Sequence, residues 1–301
     1  MDAVITYVNG LDPVWQAEYA ASTSGEKFLA KRYRDWGTLR YLLRGIEKYM
    51  PFIDNVFLLV SGESQVPGWI DRSTVKVVLH KDVIPNRFLP TFNSTTIEMF
   101  RHRIPGLGEE FLYFNDDMFP VTECSPEDFF KDGKAAIGFY RHLIAGGKYK
   151  KRVRNSDHQA RKALGMSPGL FFVRPQHTCS PMLKSENEKL YDYSKDDIFK
   201  VISKFKATEN FNQYLYLDYL YYQGKTVRGK ISNKHLSPAV HNPEIIASHI
   251  LKPSTKLLCI NDVSMSDESY ARYSEAVLSA FNSHFPSPSR FEMKRNNPAQ
   301  G

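Results

Sequence analysis

The chain has 301 residues, of which 42% are hydrophobic and 24% are charged, a composition that excludes a disordered or fibrous protein and allows a substantial core. The three cysteines are widely spaced and form no CxxC pair, which argues against a disulfide framework and against a structural zinc site. A net charge of +7 favours anionic partners (nucleotides, phosphorylated sugars, nucleic acid or an acidic membrane face) without choosing among them.

The N-terminal segment, residues 2–8, has the composition of a first β-strand. It is too short to span a membrane and lacks the basic region of a signal peptide, so we expect a cytosolic protein, with the inner face of the cell membrane as a further location. The following turn, Asn9 to Pro13, contains an Asn-Gly pair that tolerates positive φ. Such a turn suits a nucleotide-cradling loop, although a plain strand-to-helix turn is the commoner explanation.

Strands and helices alternate through the first 120 residues. The leucine spacing after Arg34 predicts an amphipathic helix that stops at Pro51, and Thr95-x-x-Glu98 has the capping-box spacing that opens a second helix. Apolar runs predict strands at 56–60, 75–79 and 111–115. The alternation predicts an α/β fold, with a Rossmann-like (GT-A-like), mostly parallel sheet flanked by helices.

Two adjacent aspartates, Asp116 and Asp117, follow the last of these strands. Ligands bind at the carboxyl ends of strands in open α/β sheets, so this pair suits a metal or a phosphate. Together with Glu98 it offers three carboxylates for Mg²⁺ or another divalent cation that also contacts substrate phosphates. The alternative is that the two aspartates merely cap a turn.

The second half of the chain is less regular and predicts helical additions to the sheet. Helices are predicted at 157–164, 214–222 and 269–285, and strands at 170–173 and 257–260. The composition after Pro286 is polar and proline-rich, which predicts a flexible tail over residues 286–301.

Two features of this half bear on function. The basic run from Lys148 to Arg154, continued by Arg161 and Lys162, is typical of a solvated face, and its alternative is a patch for phosphate or lipid headgroups. His177 lies in a polar turn before a helix, from which an imidazole can reach a cleft, although a lone histidine is more often structural.

Several motifs taken together resemble the Stealth family, which contains bacterial capsular-polysaccharide hexose-1-phosphotransferases and the lysosomal-enzyme N-acetylglucosamine-1-phosphotransferase. The motifs of its first two regions are Val4–Pro13, Arg34–Tyr49, His80–Asp82, Leu89–Ser94, Ile97-Glu98, His102–Leu107 and Phe114–Asp117. Asn155–Gly165 with His177 and Pro181 resembles the third region, and Phe205-Lys206 with Cys259–Asp262 resembles the fourth.

The resemblance implies one catalytic domain over residues 1–285, with a nucleotide-binding half (1–120) and an acceptor and catalytic half (121–285). It implies transfer of a hexose-1-phosphate, such as N-acetylhexosamine-1-phosphate, from a UDP-sugar to a glycan hydroxyl. UMP leaves, and the product is a phosphodiester-linked capsular or cell-surface polysaccharide. The alternatives are a metal-dependent GT-A-type glycosyltransferase that releases UDP and a non-catalytic glycan- or nucleotide-binding protein. No nucleic-acid partner is expected.

The resemblance also implies roles for individual residues. Glu98 and Asp117 become catalytic or metal-facing carboxylates, and His177 becomes the histidine of the third region. From the chemistry of phosphoryl transfer we expect Asp116 to join Asp117 at the metal and His177 to be the general base on the acceptor hydroxyl. Glu98 keeps two alternatives, an acid/base partner or a group that orients the sugar. Lys206 stands where the family usually has an arginine, so a phosphate ligand is kept while the bidentate fork is lost.

The remaining implied contacts go to the substrate. The loop residues Asn9, Gly10 and Asp12 are expected to contact the nucleotide. Substrate or nucleotide binding is also expected for Arg34, Arg40, Arg44 and Asn93.

Overall fold

A computed structural model describes residues 1–23 and 30–294. The helices are α1 (Pro13–Ser22), α2 (Leu39–Tyr49), α3 (His80–Val83), α4 (Ser94–Glu98), α5 (Gly147–Ala163), α6 (Lys184–Val201), α7 (Tyr214–Tyr222), α8 (Pro243–Leu251) and α9 (Asp267–His284). The strands are β1 (Asp2–Thr6), β2 (Asn55–Val60), β3 (Val75–Leu79), β4 (Glu110–Asn115), β5 (Met118–Pro120), β6 (Phe130–Lys131), β7 (Lys134–Ile137), β8 (Phe139–His142), β9 (Phe172–Pro175), β10 (Ser180–Leu183), β11 (Thr226–Arg228), β12 (Asn233–Leu236) and β13 (Leu257–Ile260).

The main sheet has five strands in the order β10-β4-β1-β2-β3. All neighbours run parallel except β10, which pairs antiparallel with β4 at the edge. Both faces are covered: Ile5 and Leu58 enter one core cluster, whereas Val4 and Phe57 enter the other. Strands buried on both faces read as continuous apolar runs, which is why the sequence shows no alternation here. The predicted Rossmann-like, mostly parallel sheet is confirmed.

The chain changes sheets at Asp116 and Asp117. β4 ends at Asn115, and β5 begins at Met118 in a second sheet of order β12-β13-β5, where it pairs antiparallel with β13. The two aspartates therefore lie at the carboxyl edge of the parallel strands, in the junction between the sheets.

Close packing on β5 explains one glycine of α2. A Cβ atom added to Gly45 would lie 2.5 Å from the carbonyl oxygen of Pro120, closer than real Cβ contacts come. Helix α2 is thereby held against the strand that follows the aspartate pair.

The short helix before the aspartates begins differently from the prediction. Asn93, not Thr95, is the N-cap, because its side-chain oxygen accepts the Thr95 backbone N–H at 3.1 Å. The predicted Thr95 to Glu98 capping box is wrong, since Glu98 is the last residue of this helix.

The second half departs from the prediction in three places. The helix expected at 157–164 is the end of the longer α5, which begins at Gly147 and contains the basic run. The strand expected at 170–173 is shifted to Phe172–Pro175, and strand β10 was not predicted. Among the residues that the structure describes, no helix is both long and apolar enough to cross a membrane.

The prediction of a flexible tail is wrong for residues 286–294. Phe291 is 1% exposed and enters the core, and Glu292 forms a β-bridge with Ile70. Glu292 also binds Arg44 in a buried ion pair with an Nε to Oε1 distance of 2.6 Å. Residues 295–301 of the predicted tail lie outside the described residues.

Candidate active site

A cavity of about 290 Å³ opens at the carboxyl edge of the main sheet. Thr6 and Tyr7 reach it from the end of β1, and Asn115, Asp116 and Asp117 reach it from the end of β4. The charged groups that line the remaining walls are Lys31, Arg32, Arg34, Asp35, Lys206 and Asp262. The cavity thus combines a carboxylate floor with four cations, as a ligand with both phosphates and a metal would require.

The aspartate pair is held in an environment that disfavours its charge. Burial raises the pKa of Asp117 to about 6, and burial followed by the charges of Asp117 and Asp35 raises the pKa of Asp116 well above its usual range. The Oδ1 atom of Asp117 is buried and accepts no hydrogen bond from any residue that the structure describes. A divalent cation would neutralise this pair and use the unpaired oxygen, so the residues present fit a hard metal ion.

Asp35 and Asp262 also line the cavity. Asp35 accepts a hydrogen bond from the Tyr7 hydroxyl at 2.7 Å, and Asp262 pairs with Arg34 at 3.3 Å between Oδ1 and Nη1. The Arg34 guanidinium also lies over the Tyr270 ring, 4.5 Å from its centroid. These contacts fix Arg34 in the cavity lining, and substrate binding by Arg34 stays a prediction.

Lys206 and Glu98 each influence the pKa of the other. Burial lowers the pKa of Lys206, and the nearby charge of Glu98 opposes that shift. Burial raises the pKa of Glu98, although Lys206, Arg101 and a hydrogen bond from the Gln213 backbone N–H at 2.6 Å act in the other direction. Lys206 lines the cavity, whereas Glu98 lies outside the lining residues and is 5% exposed. The negative charge of Glu98 therefore acts on Lys206 from outside the cavity lining.

The predicted nucleotide loop is largely occupied by its own contacts. Asp12 caps α1 through the N–H groups of Val14 and Trp15 and also accepts hydrogen bonds from Ser64 and Gln65. A Cβ atom on Gly10 would lie 2.5 Å from the Tyr33 carbonyl oxygen. Gly10 thus permits a close approach to the chain segment carrying Tyr33, which lines the cavity.

Asn9 and Arg40 line a second cavity of about 410 Å³. It shares Tyr7, Asp35 and Leu39 with the first cavity, so the two are neighbours. The structure therefore brings Asn9 and Arg40 close to the aspartate site without placing them in its lining.

Arg44 and Asn93 are not brought to either cavity, which corrects the prediction that they bind substrate. Arg44 is 7% exposed and donates to Glu292 and to the Phe285 carbonyl. Asn93 is fully buried, caps α4, and donates to Ser203 and Asn210. Both side chains serve the fold.

His177 lies outside the lining of the first cavity. Its Nδ1 is 2.8 Å from the Tyr214 hydroxyl, and its ring stacks on His235 with centroids 5.0 Å apart. Cys259 connects this group to the cavity, since its thiol donates to Asp117 Oδ2 at 3.5 Å. Burial, then the charges of His235 and Arg174, lowers the pKa of His177 to about 3, so the ring is neutral near pH 7.

Sequence reasoning missed several of these groups. The sequence analysis assigns no role in the site to Asp35, Arg32 or His235. His235 lies in no motif that signals a ligand; it reaches the site because β12 pairs with β13 in a register that puts His235 beside Cys259.

Comparison with known proteins identifies the family. The family model described as Stealth protein CR2, conserved region 2, matches residues 32–137. The capsular polysaccharide phosphotransferase WcwK of Streptococcus pneumoniae is 29% identical over 97% of this chain and 98% of its own length. The capsular polysaccharide phosphotransferase cps1A of Actinobacillus pleuropneumoniae is 31% identical over 75% of this chain and 67% of its own length.

Among solved structures, the galactosyltransferase LgtC in complex with donor and acceptor sugar analogues matches 96% of this chain and 98% of its own, with 11% identity and a TM-score of 0.41. The family itself rests on the sequence relatives and on the conserved-region match, which includes the aspartate pair. The chain therefore belongs to the Stealth family, and it is a phosphotransferase enzyme.

Proposed function

We propose that this enzyme transfers a hexose-1-phosphate, with N-acetylhexosamine-1-phosphate as the first candidate, from a UDP-sugar to a hydroxyl of a glycan. The acceptor oxygen bonds to the phosphorus next to the sugar, the pyrophosphate P–O bond breaks, and UMP leaves with the bonding electrons. The acceptor proton passes to a base. The observation that carries the proposal is that the paired aspartates and four cations line one cavity. The relatives' names favour a capsular or cell-surface polysaccharide as product.

Asp116 and Asp117 would hold Mg²⁺ or another divalent cation. When bound, that cation would neutralise charge on the pyrophosphate oxygens. Lys206 and Arg34, which also line the cavity, would bind the same phosphates. Lys206 is a point charge without a bidentate fork, so its orientation toward the phosphates must be supplied by its surroundings. Glu98 lies outside the cavity lining and its charge acts on Lys206, so Glu98 would be a positioning residue for Lys206 and not a group that touches substrate.

His177 would act as the general base. When Nδ1–H donates to the Tyr214 hydroxyl oxygen, Nε2 keeps a free lone pair, and Tyr214 is itself fixed by burial. His235, stacked on His177, is exposed to solvent. We therefore place the acceptor on the His235 side and the donor in the aspartate cavity.

The test is the nucleotide product. Purified protein is incubated with UDP-N-acetylglucosamine and other UDP-hexoses, Mg²⁺ and a short glycan acceptor, and the released nucleotide is identified. UMP is expected, because sugar and phosphate move together. Release of UDP would mean that the anomeric bond breaks, and the GT-A-type glycosyltransferase would replace this proposal. UMP release should fall in Asp117→Asn, and Asp192→Asn, which changes an exposed aspartate on α6, is its control.

We further propose that the protein works against the anionic inner face of the cell membrane. Residues 139–175 contain a single acidic residue, the buried Asp157. Their nine basic residues are Arg141, Lys148, Lys150, Lys151, Arg152, Arg154, Arg161, Lys162 and Arg174. This excess of positive charge is larger than the +7 of the whole chain, so the remainder is close to neutral.

Exposed apolar side chains accompany this charge. The β8–β9 ribbon ends at the pair His142 and Phe172, and the chain beyond that pair carries Leu143, Ile144, Leu170 and Phe171. Leu170 is 76% exposed and Ile144 is 74% exposed. Apolar groups rimmed by cations are complementary to an anionic bilayer surface.

Sedimentation with phosphatidylglycerol and phosphatidylcholine vesicles tests this surface. Binding to the anionic vesicles only is expected. The triple variant Lys148→Gln, Lys150→Gln, Lys151→Gln should bind about a hundredfold more weakly, at roughly 1 kcal/mol per lysine. The matched control neutralises Lys131, Lys134 and Lys252, which are exposed elsewhere. Equal weakening in both triples would show that only net charge matters and would contradict a defined surface.

A further inference from the structure

Three metal-binding side chains from distant segments meet beside the aspartate cavity. His177 precedes β10, His235 lies on β12 and Cys259 lies on β13. One ligand atom from each can be chosen so that all lie within 4.8 Å of one another. His235 and Cys259 are paired across neighbouring parallel strands, so the sheet register itself fixes their proximity.

The hydrogen bonds around the two imidazoles resemble those of metal-binding histidines. His235 Nε2 is 3.3 Å from the His177 carbonyl oxygen, and His177 Nδ1 is 2.8 Å from the Tyr214 hydroxyl. A histidine ligand usually donates its second ring N–H to a carbonyl or a similar group, which orients the lone pair on the other nitrogen. For His235 that other nitrogen, Nδ1, meets the Asn261 side-chain amide at 3.1 Å, a contact that a metal would replace.

The ligand set differs in chemistry from the aspartate pair. Two imidazoles and a thiolate are borderline-to-soft ligands that suit Zn²⁺ or Co²⁺, whereas carboxylates suit Mg²⁺. We propose that His177, His235 and Cys259 form a separate site for a transition-metal ion of the Zn²⁺ class. The Cys259 thiol releases its proton to solvent when the metal binds. The exposed His235 provides the entry path for the ion. Because the protein supplies three ligands, a fourth coordination position stays open to solvent.

The position of this site gives it a regulatory consequence, which rests on the proposed function. A metal ion on His177 occupies the lone pair that would accept the acceptor proton. It also takes up the Cys259 sulfur that donates to Asp117. Zn²⁺ should therefore inhibit UMP release even in excess Mg²⁺.

Metal binding is tested directly with Co²⁺ as the probe, on the full chain. A tetrahedral Co²⁺–thiolate site gives a sulfur-to-cobalt charge-transfer band, which is expected for the unmodified protein and absent in Cys259→Ser. His235→Ala should weaken Co²⁺ binding by at least about tenfold, the lower range for disturbing even an outer partner of a metal ligand. Cys124→Ser is the matched control, because Cys124 is a free cysteine outside this group, and it should keep the band.

Absence of the band in the unmodified protein, or its persistence in Cys259→Ser with unchanged affinity, would overturn the site. The inhibition assay is separate: UMP release is measured over a Zn²⁺ series at fixed Mg²⁺, relative to the zinc-free rate of each variant. His235→Ala should need at least about tenfold more Zn²⁺ for the same inhibition. A sulfur-to-cobalt charge-transfer band in a protein that releases no UMP would contradict the proposed function and still support the metal site.

Discussion

The two sides of the aspartate pair are built in different ways. On the side of the first cavity, where we propose that the donor binds, Tyr7 follows β1, Asn115 ends β4 and Asp116 follows it. These two parallel strands pair in regular register, from Asp2 opposite Phe111 to Thr6 opposite Asn115. On the side of His177, where we propose that the acceptor binds, His177 and Cys259 come from a turn and a short strand, and their contacts depend on pairing between distant segments. The first side offers oxygen ligands at a rigid sheet edge, and the second offers nitrogen and sulfur. Under the proposed function, phosphate chemistry and acceptor chemistry would therefore be separated within one site.

The largest effect is expected from replacing His177, the proposed general base on the acceptor side. His177→Ala should lower kcat by about 10²–10⁴, the usual contribution of a positioned base, with the fold intact. Turnover and the thermal unfolding midpoint are measured together. His249→Ala, on α8 and away from the site, is the control and should keep full turnover. Near-normal turnover in His177→Ala would remove the base from the acceptor side.

The proposed donor side is tested by replacing Asp117. Asp117→Asn keeps the shape of the side chain and removes the charge that would hold the cation, so the rate should fall by about 10²–10³. The measurement is kcat/KM for UDP-sugar over a Mg²⁺ series, with Asp192→Asn as the control. A rate within a few-fold of the unmodified enzyme would mean that the aspartate edge is a turn and not a catalytic surface.

The same difference between the two sides explains which parts of each side could be predicted from the sequence. The sheet, α2 and the Asp116-Asp117 edge follow from local apolar runs and turn residues, so their prediction is confirmed by the strand bounds. His235 and β10 depend on pairing between segments far apart in the chain, and no local pattern encodes that pairing. Asn93 and Arg44 were misassigned because a motif gives the residue type but not its burial. Only the folded chain shows that Asn93 is a helix cap and that Arg44 meets Glu292.

The reassignment of Arg44 predicts a loss of stability instead of a loss of binding. Arg44→Leu leaves Glu292 buried without its partner and should lower the free energy of unfolding by about 3–5 kcal/mol. Denaturant unfolding measures this, and Arg44→Leu combined with Glu292→Gln should regain part of the loss. UMP release per folded molecule should remain. If Arg44→Leu is stable but binds UDP-sugar more weakly, Arg44 is a substrate-binding residue, as the sequence predicted.

The same ion pair predicts the smallest effect, a dependence of stability on acid pH. Burial alone would raise the pKa of Glu292, but hydrogen bonds from Arg44 and from the Ser289 backbone N–H hold that pKa below its ordinary value. The folded state therefore releases this proton more readily than the unfolded state, whose glutamate pKa is about 4.3. The stabilisation is complete above that pH and is lost as the pH falls through it towards the lowered folded pKa. Denaturant unfolding of the unmodified protein and of Glu292→Gln, between about pH 7 and pH 3, should show a stability difference that narrows on acidification. A difference that stays constant with pH would mean that Glu292 does not carry its charge in the folded protein.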